Sequence, residues 1–281
     1  MIKIAGSRLV AGRSSQRRAY TLIEMLIVIT IIGLLAAVGL PAMKGLGESG
    51  RISSANRQLL DDIAFARQKA ISTRSHVFMV FIPPSIVQSA FSATVPSLQL
   101  QERKAVTNLF VGQYTSYALF SRRNVGDQPG HENPRYIGPW KSLPDGLFIE
   151  PAKYAYVTES TRAGLLYSDL TRPFAYKRFP FPLGNSPEFP DPGLPYLEFN
   201  SKGQLVSEPR YGVSGQVIGY YDAVVALSRG SIFYSRDANG EPIPANPDLV
   251  ETPRGNSTNN YNRVRIDWLT GRPSLEQPKL K

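Results

Sequence analysis

The sequence predicts an α+β fold: one long amino-terminal helix packed on an antiparallel β-sheet domain. Three observations predict it. Leu22 to Leu40 is apolar or small throughout, apart from Glu24 and Thr30. From Ile52 the apolar residues Ile52, Ala55, Leu59, Ile63, Ala66 and Ala70 step by three and four, which makes one stripe along a helix. After Arg74 that period gives way to short β-rich runs separated by proline, glycine and asparagine. The chain therefore divides into a basic leader over 1–19, a long helix over 20–75 and a β-rich globular domain over 76–281.

The apolar run Leu22–Leu40 forms the transmembrane segment of this reading. Its nineteen residues rise ~28 Å as a helix, about one hydrocarbon core. The leader carries Lys3, Arg8, Arg13, Arg17 and Arg18 and no acid. By the positive-inside rule the leader stays in the cytoplasm and the bulk of the chain lies outside. Glu24 stands just inside the run. A carboxylate at mid-bilayer is unfavourable by roughly 2.5–3.5 kcal/mol, and by less near the edge. An acid at that depth points to a partner, and a free amino terminus nearby is the best available one. Two plainer readings compete: an ordinary secretory signal with Leu40-Pro41-Ala42 as its cleavage site, and a plain single-pass anchor. The apolar run is longer than the 7–15 residues of a signal and has an acid near its start.

The stretch Ala19-Tyr20-Thr21-Leu22-Ile23-Glu24 resembles the processing site of type IV prepilins and type II secretion pseudopilins. The resemblance implies a cut between Ala19 and Tyr20 by a prepilin peptidase, with methylation of Tyr20 by the same enzyme. It implies that Glu24 neutralises the terminal amine of a neighbouring subunit during assembly. It departs from the usual pattern in Ala19, where glycine is usual, and in Tyr20, where phenylalanine is usual; the small residue and the aromatic ring are kept. The implied partners are the peptidase, other pilins or pseudopilins and the inner membrane. The implied place is a single pass through the bacterial inner membrane, with the globular domain periplasmic and then part of a filament.

Between the two halves of the helix lie Pro41, Gly45, Gly47 and Gly50. Proline removes a helix hydrogen bond, and each glycine disfavours helix by about 1 kcal/mol relative to alanine. The segment is expected to bend or melt, and pilin helices often lose helicity at this distance on entering a filament. The same glycines spell Gly45-x-Gly47-x-x-Gly50, but a dinucleotide fingerprint needs a preceding strand, and here the apolar helix precedes it. Gly33-x-x-x-Ala37 is a small-residue pair of a kind that lets helices approach closely.

Beyond Arg74 the expected strands are Val77–Ile82, Tyr114–Ser121, Leu147–Ile149 after the Leu143–Gly146 turn, and Tyr196–Phe199 before the turn Asn200–Gly203. Ala223–Leu227 and Ser231–Tyr234 are expected to form a hairpin around Arg229-Gly230. Asn262–Leu269 alternates Val264, Ile266 and Trp268 with Arg263, Arg265 and Asp267, a half-buried strand with one cationic face. Gly271 then turns the chain into a polar tail. The order of these features, with Ala66, Arg67, Ala70 and Ile71 ending the helix, resembles the minor GspH/FimT branch of the family. Residues 83–113 and 160–195 stand outside that resemblance as insertions; Phe174, Tyr176, Phe179 and Phe181 in the second read as packed.

The chemistry of the chain is narrow. There is no cysteine, so no disulfide or thiolate site. The two histidines, His76 and His131, are far apart, and no hydrolase or P-loop pattern occurs, so the chain is read as no enzyme, with no cofactor and no metal. His76 is expected to cap the helix end. Asp237-x-Asn239-Gly240-Glu241 reads as an Asn-Gly turn rather than a calcium loop, because it lacks the full ligand set. The formal charge is +10, and the five leader cations leave +5 for the rest. Arg254, Arg263, Arg265, Arg272, Lys279 and Lys281 gather near the end, and the alternative reading is a minor pilin that binds DNA through Arg263, Arg265 and Arg272.

Overall fold

The computed structural model describes residues 20–84, 100–124, 126–128, 133–157, 172–211, 214–256 and 262–277, without the side chains of 38–49, 100, 101 and 103. An amino-terminal helix is followed by antiparallel sheets. The chain divides into two compact units between Ser49 and Gly50. Helix α1, Leu22–Thr73, is helical through Pro41, Gly45, Gly47 and Gly50. It ends where Arg74 takes a left-handed conformation (φ 49°). There Ser75 N–H bonds Ala70 O and Arg74 N–H bonds Ile71 O, each at 3.2 Å, the paired bonds of a Schellman cap. His76 does not cap the helix. Its Nδ1 lies 2.6 Å from Glu198 Oε1, because the chain has already turned into the first strand.

In the second unit the elements run β1 Val77–Phe81, α2 Leu100–Phe110, β2 Ser116–Ser121, β3 Arg135–Tyr136, β4 Lys141–Ser142, β5 Leu147–Ile149, β6 Ala175–Lys177 and β7 Leu194–Phe199. Then come β8 Pro209–Tyr211, β9 Val217–Tyr220, β10 Ala223–Phe233, β11 Asp248–Glu251, β12 Asn262–Ile266 and β13 Pro273–Glu276. One sheet has the order β3-β2-β1-β7-β6 with β4 also on β2; another has β11-β10-β12-β13 with β5 also on β10; β8 and β9 pair alone.

The predicted stripe of α1 is the spine of the main core. Ala55, Leu59, Ile63, Ala66 and Ala70 are fully buried against residues of both larger sheets, among them Met79, Phe199, Val225 and Val264. Polar bonds fix the helix in register. Asn56 and Asn262 exchange amide hydrogen bonds at 3.1 and 2.6 Å in the interior. Buried Asp62 accepts from Tyr117 Oη at 2.7 Å and from Lys141 Nζ at 2.5 Å.

The centre of the first sheet is covered on both faces, so β1 and β2 are buried at every residue rather than at alternate ones. Phe78, Val80, Ile82 and Phe120 point away from α1 into a second core. That core is built by the two segments outside the family resemblance. Val106, Leu109 and Phe110 come from α2, a helix unforeseen in 83–113. Phe179, Phe181 and Phe189 come from the other, where aromatic packing was expected. Phe179 meets Phe78 and Phe120 edge-on at 5.2 and 5.4 Å. Tyr136 and Trp140 donate to Pro180 O and Pro182 O, so their polar ends are satisfied.

Two expectations are overturned. Ala223–Tyr234 is not a hairpin: β10 runs straight through Arg229-Gly230, pairing with β12 and β5 first and with β11 afterwards. Gly230 serves close approach, not reversal, since a Cβ there would fall 2.0 Å from Val250 O. The residues after Gly271 are not merely a tail, because β13 pairs with β12. Gly271 makes the turn between them at φ 64°, and a Cβ there would meet Gly203 O at 2.0 Å.

Substituting Gly271→Ala is therefore expected to destabilise the domain by about 2 kcal/mol or more, from strain plus the main-chain clash; urea unfolding measures it. Burial also raises the phenols of Tyr117, Tyr136 and Tyr154 above their ordinary range, with the Asp62 hydrogen bond and charge adding at Tyr117. A raised phenol stays neutral in the fold while its unfolded counterpart ionises near pH 10. Stability should be intact below about pH 10 and fall as pH rises beyond it, with these tyrosines ionising only on unfolding in a spectrophotometric titration.

Candidate functional site

The site starts at the helix beginning. Thr21 stands at the N-cap, and its Oγ1 accepts from Glu24 N–H at 3.2 Å. Met25 N–H closes the first helical turn on Thr21 O at 3.2 Å. Thr21-x-x-Glu24 thus has the spacing of a capping box, in which the third helical residue is acidic. Sequence reasoning singled out Glu24 for its charge in an apolar run; the same four residues carried the capping signal that identifies Thr21. The position adds a second reason for the acid. A carboxylate in a first helical turn faces the positive end of the helix dipole, worth about 0.3–1 kcal/mol at an exposed site.

Around Glu24 the helix is apolar on every side. Tyr20 is 69% exposed and Leu22 84%, and Ile23, Leu26, Ile29, Ile32 and Leu35 are each more than half exposed. Thr30 does not interrupt this surface, because its hydroxyl donates to Leu26 O at 2.7 Å. Nothing lies within 4 Å of the place a Cβ would take at Gly33. Among the described residues no helix is long and apolar enough to cross a membrane; the described side chains of the run end at Ala37. Ala19 lies outside the described residues, as do the side chains around Pro41, Gly45 and Gly47.

The other candidate residues are not brought together with this site. Arg263 and Arg265 lie on the half-buried face of β12. Arg265 is held by Asp222 at 3.1 Å and by Glu276 at 2.5 Å, so its part of the cationic face expected there is compensated. Arg272 follows the Gly271 turn, and Lys279 and Lys281 lie outside the described residues. The DNA-binding alternative gains no support from this arrangement. His131 is also outside the described residues. Asp237 Oδ1 accepts from Asn239 N–H and Glu241 N–H, which makes its segment a self-bonded turn. Among the described residues no cluster of three or more His, Asp or Glu could hold a metal ion.

Residues 14–40 match the prokaryotic N-terminal methylation motif. This motif is the type IV pilin and pseudopilin signal, and it makes the chain pilin-like at its amino terminus. It indicates a structural subunit at the inner membrane, processed by prepilin peptidase and assembling with other pilins. The matched segment contains Thr21, Glu24 and the exposed apolar surface. No curated protein and no solved structure matches the chain.

Removing the cap with Thr21→Ala is expected to fray the first turn, at about 0.5–2 kcal/mol. Hydrogen exchange at the amides of Glu24 and Met25, the two bonded to Thr21, should quicken by roughly 2- to 30-fold, while amides of β1 keep their rates.

Proposed function

We propose that the chain is a minor pilin or pseudopilin, most like the GspH/FimT branch, that enters a type II secretion pseudopilus or a type IV pilus. The observation that carries this reading is Glu24 in the capped first turn of a helix exposed and apolar on all sides, within the matched motif. Prepilin peptidase cuts between Ala19 and Tyr20 and methylates Tyr20. The new amine then sits just before the helix start, where the dipole disfavours a positive charge. Glu24 of a neighbouring subunit neutralises it in a medium where an unpaired charge is expensive. Before assembly, Leu22–Leu40 anchors the chain by a single pass and the β-rich domain lies in the periplasm. On assembly, the Pro41–Gly50 segment loosens, as its proline and glycines favour. No enzymatic step, cofactor or metal is part of this role.

The mature amino-terminal peptide, isolated from host membranes, should begin at Tyr20 and carry one added methyl group by mass. Glu24→Ala should leave the processed chain in the membrane but remove it from sheared filaments or from crosslinks to other pilins. A peptide beginning at Met1 or near Met43, or normal incorporation of the Glu24→Ala variant, would overturn the proposal.

A further inference from the structure

Between the β6 end of the first sheet and the start of β10 lies a cleft of about 440 Å³, within the range of small-molecule sites. Buried Leu197, Leu205 and Val224 line its inner side, and Tyr156, Tyr176, Ser207 and Glu208 line its more open side. It arises because Pro151 diverts the chain after β5 into a short 3-10 turn, Pro151–Tyr154. Glu150 N–H still bonds Ala226 O at 2.9 Å, but past that point β5 no longer covers β10.

Two properties define what fits. The first is shape. Ala226 turns its carbonyl to the β5 side, so by the two-residue period of a strand Val224 turns its main chain the same way. The bond from Tyr221 N–H to Glu208 O at 3.2 Å closes the other end. Only about one residue of strand edge is presented, too little to hold an added strand, so the cleft suits a compact ligand. The second is charge. Arg172 pairs with Glu208 and lies over the Tyr221 ring, 3.6 Å from its centroid. Asp222 pairs with Arg265. Among the described residues each ionic group at the cleft is already compensated, which disfavours a charged ligand. Tyr156 is 57% exposed and meets Tyr176 edge-on at 5.4 Å, placing aromatic surface beside carboxylate, guanidinium and hydroxyl groups.

We propose that this cleft binds a neutral saccharide of one or two rings. The C–H face of a sugar ring packs on a tyrosine, and its hydroxyls both donate to Glu208 and Asp222 and accept from Arg172 and Ser207. The inference stands apart from the filament reading and survives its failure.

The test uses the full chain in a non-glycosidic detergent and saturation-transfer NMR. The probes are glucose, galactose, N-acetylglucosamine, maltose and cellobiose, with glucuronate, glucosamine and an uncharged capped tetrapeptide for comparison. At least one neutral sugar should bind saturably, and at least tenfold more weakly to Tyr156→Ala, whose circular dichroism should be unchanged. Phe233→Ala, remote from the cleft, should bind as the parent does. Failure of every neutral sugar, equal or tighter binding of the charged sugars or the peptide, or indifference to Tyr156→Ala would each overturn the proposal.

Discussion

Everything in the globular unit depends on how closely α1 can approach the two larger sheets. Ala55, Ala66 and Ala70 keep the helix stripe narrow, and Leu59 and Ile63 fill the space between. Burying Leu59 or Ile63 contributes roughly 1.5–3 kcal/mol each, but apolar contact alone would tolerate a sliding helix. The Asn56–Asn262 amide pair and the Asp62–Tyr117–Lys141 group do not. A shift by one residue would leave buried amides or a carboxylate without partners, at about 1–3 kcal/mol per neutral group and more for the charge. These bonds join one helix to β12 on one sheet and to β2 and β4 on the other. They define how the sheets stand to each other, and so they define the cleft as well.

The second core extends the same logic to the far face of the first sheet. A sheet with one wet face alternates buried and exposed residues, whereas β1 and β2 bury all of theirs. The cover is aromatic: edge-to-face contacts link Phe78, Phe120 and Phe179, and further rings extend the layer through Phe181 and Phe189. Segments that look like interruptions in a pilin-like chain are thus structural, supplying a layer without which the outer apolar residues of β1 and β2 would face water.

The amino-terminal segment obeys a different physics. Its apolar side chains are not consumed by a core; they remain on the surface, where they suit a lipid or a bundle of like helices. Within that surface Glu24 is the single acid, in the turn where the helix backbone itself favours negative charge. The peptide chain therefore stabilises locally the group that the proposed assembly step requires.

Local periodicity made much of this protein legible in its sequence. The stripe from Ala55 to Ala70, the strands at Val77 and Leu147, the turn at Asn200–Gly203 and the alternation of Val264 and Ile266 each rest on contacts within a few residues or on one face of one element. The Ala19–Glu24 stretch is legible because its six residues are adjacent in the chain, although the capping role of Thr21 went unread. Helix α2 carried its own signal in Val106, Leu109 and Phe110, spaced as one helical face, though flanked by polar residues. What only the tertiary structure decided depends on groups distant in sequence. Gly230 is a close-contact site because β11 pairs there, not a turn. The residues after Gly271 are a strand because β12 accepts them. Arg265 is neutralised because Asp222, forty-three positions away, lies beside it. Hydrophobic period is a property of neighbours along the chain, whereas pairing, neutralisation and clefts are properties of neighbours in space.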